Sequence, residues 1–306
     1  MTAAQRIAYF GKLPGCGDFV RSAGDQVLVE LMDQWLASVM QRLSANPRWR
    51  QHYDACPPLD FAFVGTRSRQ VVSGHLRASR DQSARRFPFT CIAVHQVREP
   101  RSFLPCSPLA LAPAWSALAQ AAKQPGENTL PENLPDLPAA RLAQERYFAE
   151  ASLASLEAQL EGAPVRRLLL ALGQLLSPLR EAAAMPARCL ALPLPLDAAQ
   201  RPLVASFWMT LAAPLLLRHD LELAMFMAGT AGLPALVLGL DGANPASLQA
   251  IIDGEAAQDS LVALSDCAWV EATLRGEPAL QRLAACLEQG QLGLPFAIEL
   301  FHETFC

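Results

Sequence analysis

The sequence predicts an α+β protein, in which an antiparallel sheet flanked by helices is followed by a second, helix-rich α+β region. Three observations carry that expectation. Strand-like runs at 60–64, 70–76 and 88–94 follow one another with links too short for a crossover helix. Longer stretches repeat apolar residues every three or four positions, as amphipathic helices do. Between them, Lys123 to Pro138 (KQPGENTLPENLPDLP) is rich in Pro, Asn and Gly and poor in bulky apolar residues, which reads as a connector. The expected division is 1–125, a linker at 126–137, and 138–306.

Taken in order, Ile7 to Phe10 is a short apolar run entering a glycine-rich turn, and predicts a strand. From Val27 to Leu43, apolar residues recur at helical spacing behind Asp25, a plausible N-cap. The runs DFAFV, QVVSGHL and PFTCIAV then supply strands rich in β-branched and aromatic residues. A helix at Pro108 to Gln120 covers the sheet they form. Past the linker, helical patterns run over 138–161 and 164–184, and RCLALPL predicts a strand before a helix at 200–218. Leu223 to Ala228 and Ala235 to Leu240 flank GTAGLP as a hairpin. Asn244 followed by Pro245 is an N-cap with proline at the first helical position, and a last amphipathic helix spans 269–287.

The 306 residues are 52% hydrophobic and 18% charged, ample for a core. The longest apolar stretch, Leu203 to Leu217, lies between Arg201 and Arg218 and contains Pro214, too short for the roughly 20 residues of a spanning helix. The N-terminus lacks the apolar run of a secretory signal. A cytoplasmic protein without membrane insertion is expected. The eight cysteines are scattered and show no C-x-x-C, so reduced thiols are expected rather than zinc or a disulfide framework. Charge is uneven: the first 105 residues carry +6 and the remainder −10. A basic partner face or attraction between the two regions would both account for it. The arginines are dispersed without aromatic interleaving, which argues against nucleic acid.

Two polar stretches invite a chemical reading. GKLPGCGDF, Gly11 to Phe19, has the outline of a phosphate loop, but Leu13 stands where a Walker loop has Ser or Thr after the lysine, and a third glycine is missing. Cys16 as a nucleophile would need a base, and no histidine is near in sequence. A shaped turn, with Pro14 fixing a bend and Asp18 capping local amides, is the plainer reading; an anion nest remains the alternative. SRDQSARRFPFT, Ser79 to Thr90, sets Arg85 and Arg86 to grip an anion, or Asp81 to pair with Arg85 and hold the loop. No H-x-H, H-E-x-x-H or G-x-S-x-G occurs. No catalytic residue, metal or cofactor is expected, and the chain is expected not to be an enzyme.

The stretch AYFGKLPGCGDFVR, followed by MDQWLASVM, resembles the N-terminal signature of the TagF (ImpM) family of type VI secretion accessory proteins. Phe10, Gly11, Lys12, Leu13, Pro14, Gly17, Asp18, Phe19, Val20 and Arg21 fill that pattern. Ser79, Asp81, Arg85, Phe87 and Pro88 meet a second family block, in which Ala84 replaces the usual glycine. Weaker likeness continues through VASFWMTLAAPLL and the closing ELFHETF. The resemblance implies a longin- or profilin-like N-terminal domain. It also implies a non-enzymatic, post-translational repressor that binds a cytoplasmic scaffold with a forkhead-associated domain. Contact candidates under that resemblance are Lys12, Gly17, Asp18, Arg21, Asp81, Arg85 and Arg86, with Phe19 and Phe87 as anchors. A small-ligand or nucleotide-responsive regulator is the alternative. The metal-binding aspartate motifs of the phosphatase fused to some relatives are not found.

Overall fold

Among the described residues, nine strands build one sheet in the order β2-β1-β5-β4-β3-β7-β8-β6-β9. They are β1 (Ala8–Gly11), β2 (Val20–Arg21), β3 (Leu59–Gly65), β4 (Gln70–Arg77), β5 (Phe89–Gln96), β6 (Cys189–Pro193), β7 (Glu222–Thr230), β8 (Leu233–Gly239) and β9 (Leu261–Ala263). The structure is a computed structural model that describes residues 6–23, 25–126, 128–131, 134–181, 188–230, 232–265, 267–288 and 291–306. Neighbouring strands are antiparallel except β6 and β9, so the α+β, mostly antiparallel fold class holds.

The sheet does not stop at the proline-rich segment. Central β3 pairs with β4 on one side (Asp60 opposite His75) and with β7 on the other (Asp60 opposite Met227). The stretches on either side of 126–137 therefore contribute β1–β5 and β6–β9 to one sheet. Within that segment, of which 127, 132 and 133 lie outside the described residues, the chain is pinned. Ile7 donates its amide to the Asn128 carbonyl, and Leu130 is in the core. Proline content forbids helix there, but it leaves backbone carbonyls free to meet β1.

Helices cover both faces. On one lies α1 (Gln26–Leu43), begun by Asp25 as the sequence predicts, its carboxylate accepting from the Leu28 amide. Leu28, Val29, Met32, Trp35, Leu36, Val39 and Leu43 are its buried stripe, and Trp35 meets Phe61 and Phe63 of β3 at 5.5 and 5.2 Å between ring centroids. Each such burial contributes roughly 1.5–3 kcal/mol, so packing rather than the cap, worth about 1 kcal/mol, anchors the helix. Next comes α2 (Trp49–Ala55), whose buried residue is Tyr53.

After the one-turn α3 (Pro100–Phe103), the opposite face is covered by α4 (Ser107–Lys123), longer than predicted at both ends. Its Trp115 indole donates to the Phe61 carbonyl. The single helix predicted over 138–161 is two, α5 (Leu137–Glu150) and α6 (Leu153–Gln159), because Ser152 and Ser155 form a capping box that restarts the chain. α7 (Val165–Leu176) ends in a 3-10 turn to Glu181; the predicted extension over 182–184 lies outside the described residues. α8 (Arg201–Leu216) is buried along most of its length, which explains its near-unbroken apolar sequence. The expected hairpin is β7–β8.

α9 (Pro245–Ile252) is capped by Asn244 as predicted and is followed by α10 (Gly254–Ser260). The predicted helix 269–287 is divided into α11 (Val270–Thr273) and α12 (Pro278–Leu287) around Gly276 and Pro278. α13 (Leu294–Phe305) closes the chain. No helix among the described residues is long and apolar enough to cross a membrane.

Candidate functional site

The two polar stretches singled out in the sequence lie against one another at the end of β1 and the β4–β5 connection. Gly11 sets the contact. Its φ is +135°, and a Cβ there would sit 2.0 Å from the Pro88 carbonyl oxygen and 2.6 Å from the Phe89 Cα. Only glycine lets these backbones pass so closely. Leu13 to Cys16 then forms a β-turn closed by the Cys16 amide on the Leu13 carbonyl, with Pro14 at its second position. Asp18 accepts from the Phe19 amide, the local capping read from the sequence.

The arginine-bearing loop is a short hairpin. Arg80 bridges Arg86, and the Ala84 amide closes a turn on the Asp81 carbonyl. Ala84 has φ +60°, the left-handed position that follows a type I turn and favours glycine. That is the position at which the family block has its glycine.

Asp81 joins the loops. Its Oδ1 accepts from the amides of Ser83 and Arg85, both at 2.9 Å. Its Oδ2 meets Arg85 Nε at 2.7 Å and Lys12 Nζ at 3.0 Å. Burial by itself pushes this carboxyl up. The hydrogen bond from Lys12, those from the Arg85 amide and guanidinium, and the Lys12 charge outweigh it and hold the group well below the usual carboxylate range. The connection is repeated on the backbone: Arg85 Nη2 donates to the Gly17 carbonyl at 2.8 Å, and the Gln82 amide to the Cys16 carbonyl at 2.9 Å.

Around this charged centre, Phe10, Phe19 and Phe87 pack ring to ring at 4.9–5.7 Å, and Lys12 Nζ lies 4.9 Å over the Phe19 ring. Ser79 ties in from below, its hydroxyl on the Lys12 carbonyl at 2.6 Å, while the Tyr53 hydroxyl both donates to the Ser79 carbonyl and accepts its amide. Burial pushes the Tyr53 phenol well above its ordinary value. Arg86 turns away to fork onto Asp54 at 2.8 and 2.6 Å, and that hydrogen bond lowers the Asp54 carboxyl.

The candidates therefore separate into two groups. Lys12, Asp81 and Phe87 are buried, at 6, 3 and 7% exposure, and brace the loops from inside. Arg86 is engaged with Asp54. Gly17, Asp18, Phe19, Arg21 and Arg85 face solvent, Phe19 being 37% exposed, and Arg21 sits on β2 opposite Phe10. Cys16 is half-buried, its amide and carbonyl both engaged in loop contacts. No residue of 12–19 has positive φ, so the turn Leu13–Cys16 is built without a left-handed residue. Sequence reasoning does not single out Tyr53 or Asp54. They sit on the seven-residue α2, too short to show a helical period.

Residues 8–136 match the family model of the TagF N-terminal domain, described as type VI secretion system-associated. Both loops lie inside that match. No curated protein matches the chain. Among solved structures, the crystal structure of PA0076 from Pseudomonas aeruginosa PAO1 is 25% identical, covering 46% of this chain and 77% of that one, with a TM-score of 0.29.

Proposed function

We propose that this chain, whose residues 8–136 match the model of the TagF N-terminal domain, described as type VI secretion system-associated, is a non-enzymatic cytoplasmic repressor of that system. It acts by binding a scaffold protein that bears a forkhead-associated domain. The observation that carries the binding reading is the braced pair of loops. Gly15, Gly17, Asp18, Phe19 and Gln82 to Arg85 are exposed, while Asp81 and Lys12 fix the backbones beneath them. A surface whose loops are already ordered loses little entropy on association, and an exposed aromatic beside charged groups is a usual anchor at interfaces.

The test is co-purification and calorimetry with the forkhead-associated protein encoded in the same gene cluster. A complex is expected, weakened at least about tenfold by Asp18→Lys combined with Arg21→Glu. Both positions are exposed, and both variants keep the wild-type melting temperature. Absence of a complex with the folded wild-type protein at high concentration refutes the proposal.

A further inference from the structure

The sequence points to Arg85 and Arg86 as the pair to grip an anion, and the fold uses both elsewhere: Arg85 on Asp81 and the Gly17 carbonyl, Arg86 on Asp54. Two other arginines take that place. A cleft of about 360 Å³ opens beside the braced loops, lined by Pro14, Asp54, Arg77, Ala78, Ser79 and Arg80. Arg77, the last residue of β4, packs its guanidinium 5.3 Å over the Phe89 ring. Its Nε is buried with no hydrogen-bond partner among the described residues. Arg80 is exposed, and no ion pair holds either side chain among the described residues. Two guanidinium groups without an ion pair among the described residues thus line one cleft.

Charge and rigidity agree. Asp54 is the carboxylate of the cleft, and the Arg86 fork already neutralises it. Arg77, Arg80 and Arg86 against Asp54 leave two positive charges, which complement the roughly −2 charge of a phosphoryl group near neutral pH. A pair of guanidinium forks suits the several oxygens of a phosphoryl group better than a single planar carboxylate. The walls are fixed beforehand, since Ser79 is held through its amide and carbonyl by Tyr53 and through its hydroxyl by Lys12. Pro14 belongs to the closed turn.

We propose that this cleft is a phosphoryl-binding site in which Arg77 and Arg80 hold the anion. It does not depend on the partner reading above, because neither arginine side chain takes part in the loop bracing, and its test needs no partner protein. The full chain is titrated with inorganic phosphate by calorimetry and by the NMR signals of arginine Nε–H groups. Saturable binding is expected, together with a shift of the Arg77 Nε–H signal. Arg80→Ala weakens it about tenfold, which corresponds to about 1.4 kcal/mol. Arg77→Lys, which keeps the charge and removes the fork, weakens it severalfold. Arg67→Ala removes an exposed arginine that lies near Asp220 and leaves binding unchanged.

A phosphoserine peptide that binds more tightly than inorganic phosphate assigns the group to a modified protein; equal affinity assigns it to a free anion, and both uphold the site. No saturation by about 10 mM phosphate, where a millimolar site would be nearly full, overturns it. So does equal loss from Arg67→Ala, or a glutamate peptide that binds as well as the phosphoserine one.

Discussion

Gly11→Ala is the sharpest test of the loop geometry. The backbone at Gly11 has φ +135°, outside the regions L-residues occupy, and holding alanine there costs about 1–3 kcal/mol. The new methyl would lie 2.0 Å from the Pro88 oxygen and 2.6 Å from the Phe89 Cα. Both are backbone atoms, and Phe89 begins β5 between β1 and β4. They yield only if strands separate, an overpacking cost of about another 1–3 kcal/mol. Against this, alanine lowers the entropy of the unfolded chain, returning about 0.4–1 kcal/mol. The net expectation is a loss of about 1–5.5 kcal/mol, against the 5–15 kcal/mol typical of folded proteins. Urea unfolding followed by fluorescence of the buried Trp35, Trp115 and Trp208 reads it as a lower midpoint at unchanged slope. Gly15→Ala is the matched control, since nothing lies within 4 Å of a Cβ there and its φ is unexceptional; it is expected to be neutral or slightly stabilising. Equal midpoints for the two variants would refute the close passage of β1 and β5.

Four further outcomes follow from the same contacts. Tyr53→Phe leaves the buried Ser79 amide and carbonyl without their partner and lowers stability by about 1–3 kcal/mol, measured by the same urea titration. Lys12→Met removes one of the cations on Asp81. Because the folded Asp81 carboxyl is depressed, the resulting loss is full above about pH 4 and shrinks as pH falls and the carboxyl protonates. His95, buried and bonded to Ser73, is lowered by burial to about 4. Its contribution is therefore complete above the unfolded value near 6.5 and is lost between pH 6.5 and 4, by about 3 kcal/mol; His95→Gln flattens that part of the pH–stability curve. Ala84→Gly relieves a left-handed alanine costing about 1–2 kcal/mol, against about 0.5–1 kcal/mol of added backbone freedom, and raises the urea midpoint slightly.

Elements with strong periodicity were legible in the sequence. α1 and its Asp25 cap, the three strands β3–β5, the β7–β8 hairpin and the Asn244 cap all rest on short-range chemistry that eleven to eighteen residues display. Elements held by distant partners were not. β2 has two residues and exists because Val20 and Arg21 meet Gly11 and Phe10; α2 exists to bring Tyr53 beneath Ser79. β9 joins β6 in parallel through Leu261 to Ala263, a pairing no local pattern announces. The continuity of the sheet through β3 and β7 was hidden for the same reason, since registers between residues 60–65 and 222–227 leave no local trace. At the site, the Asp81–Arg85 pairing is an i,i+4 contact that sequence raises as an option. The Lys12–Asp81 pair, which makes the two stretches one site, spans 69 positions along the chain and needed coordinates.

The division between buried and exposed motif residues bears on what a family resemblance can transfer. Gly11, Lys12, Asp81 and Phe87 spend their chemistry inside the protein, on a close backbone approach, a charge centre and an aromatic cluster. Shared residues of this kind carry over the shape of the two loops. What that shape leaves to solvent is Asp18, Phe19 and the turn Gln82 to Arg85, with Arg77 and Arg80 lining the neighbouring cleft. Neither arginine belongs to the motif residues that resemble the family. Two chains can therefore share the braced loops and still differ in what they bind. On the two proposals above, variants at the buried positions lower stability and binding together, whereas those at exposed positions outside the bracing, Asp18 and Arg80, change binding at constant stability.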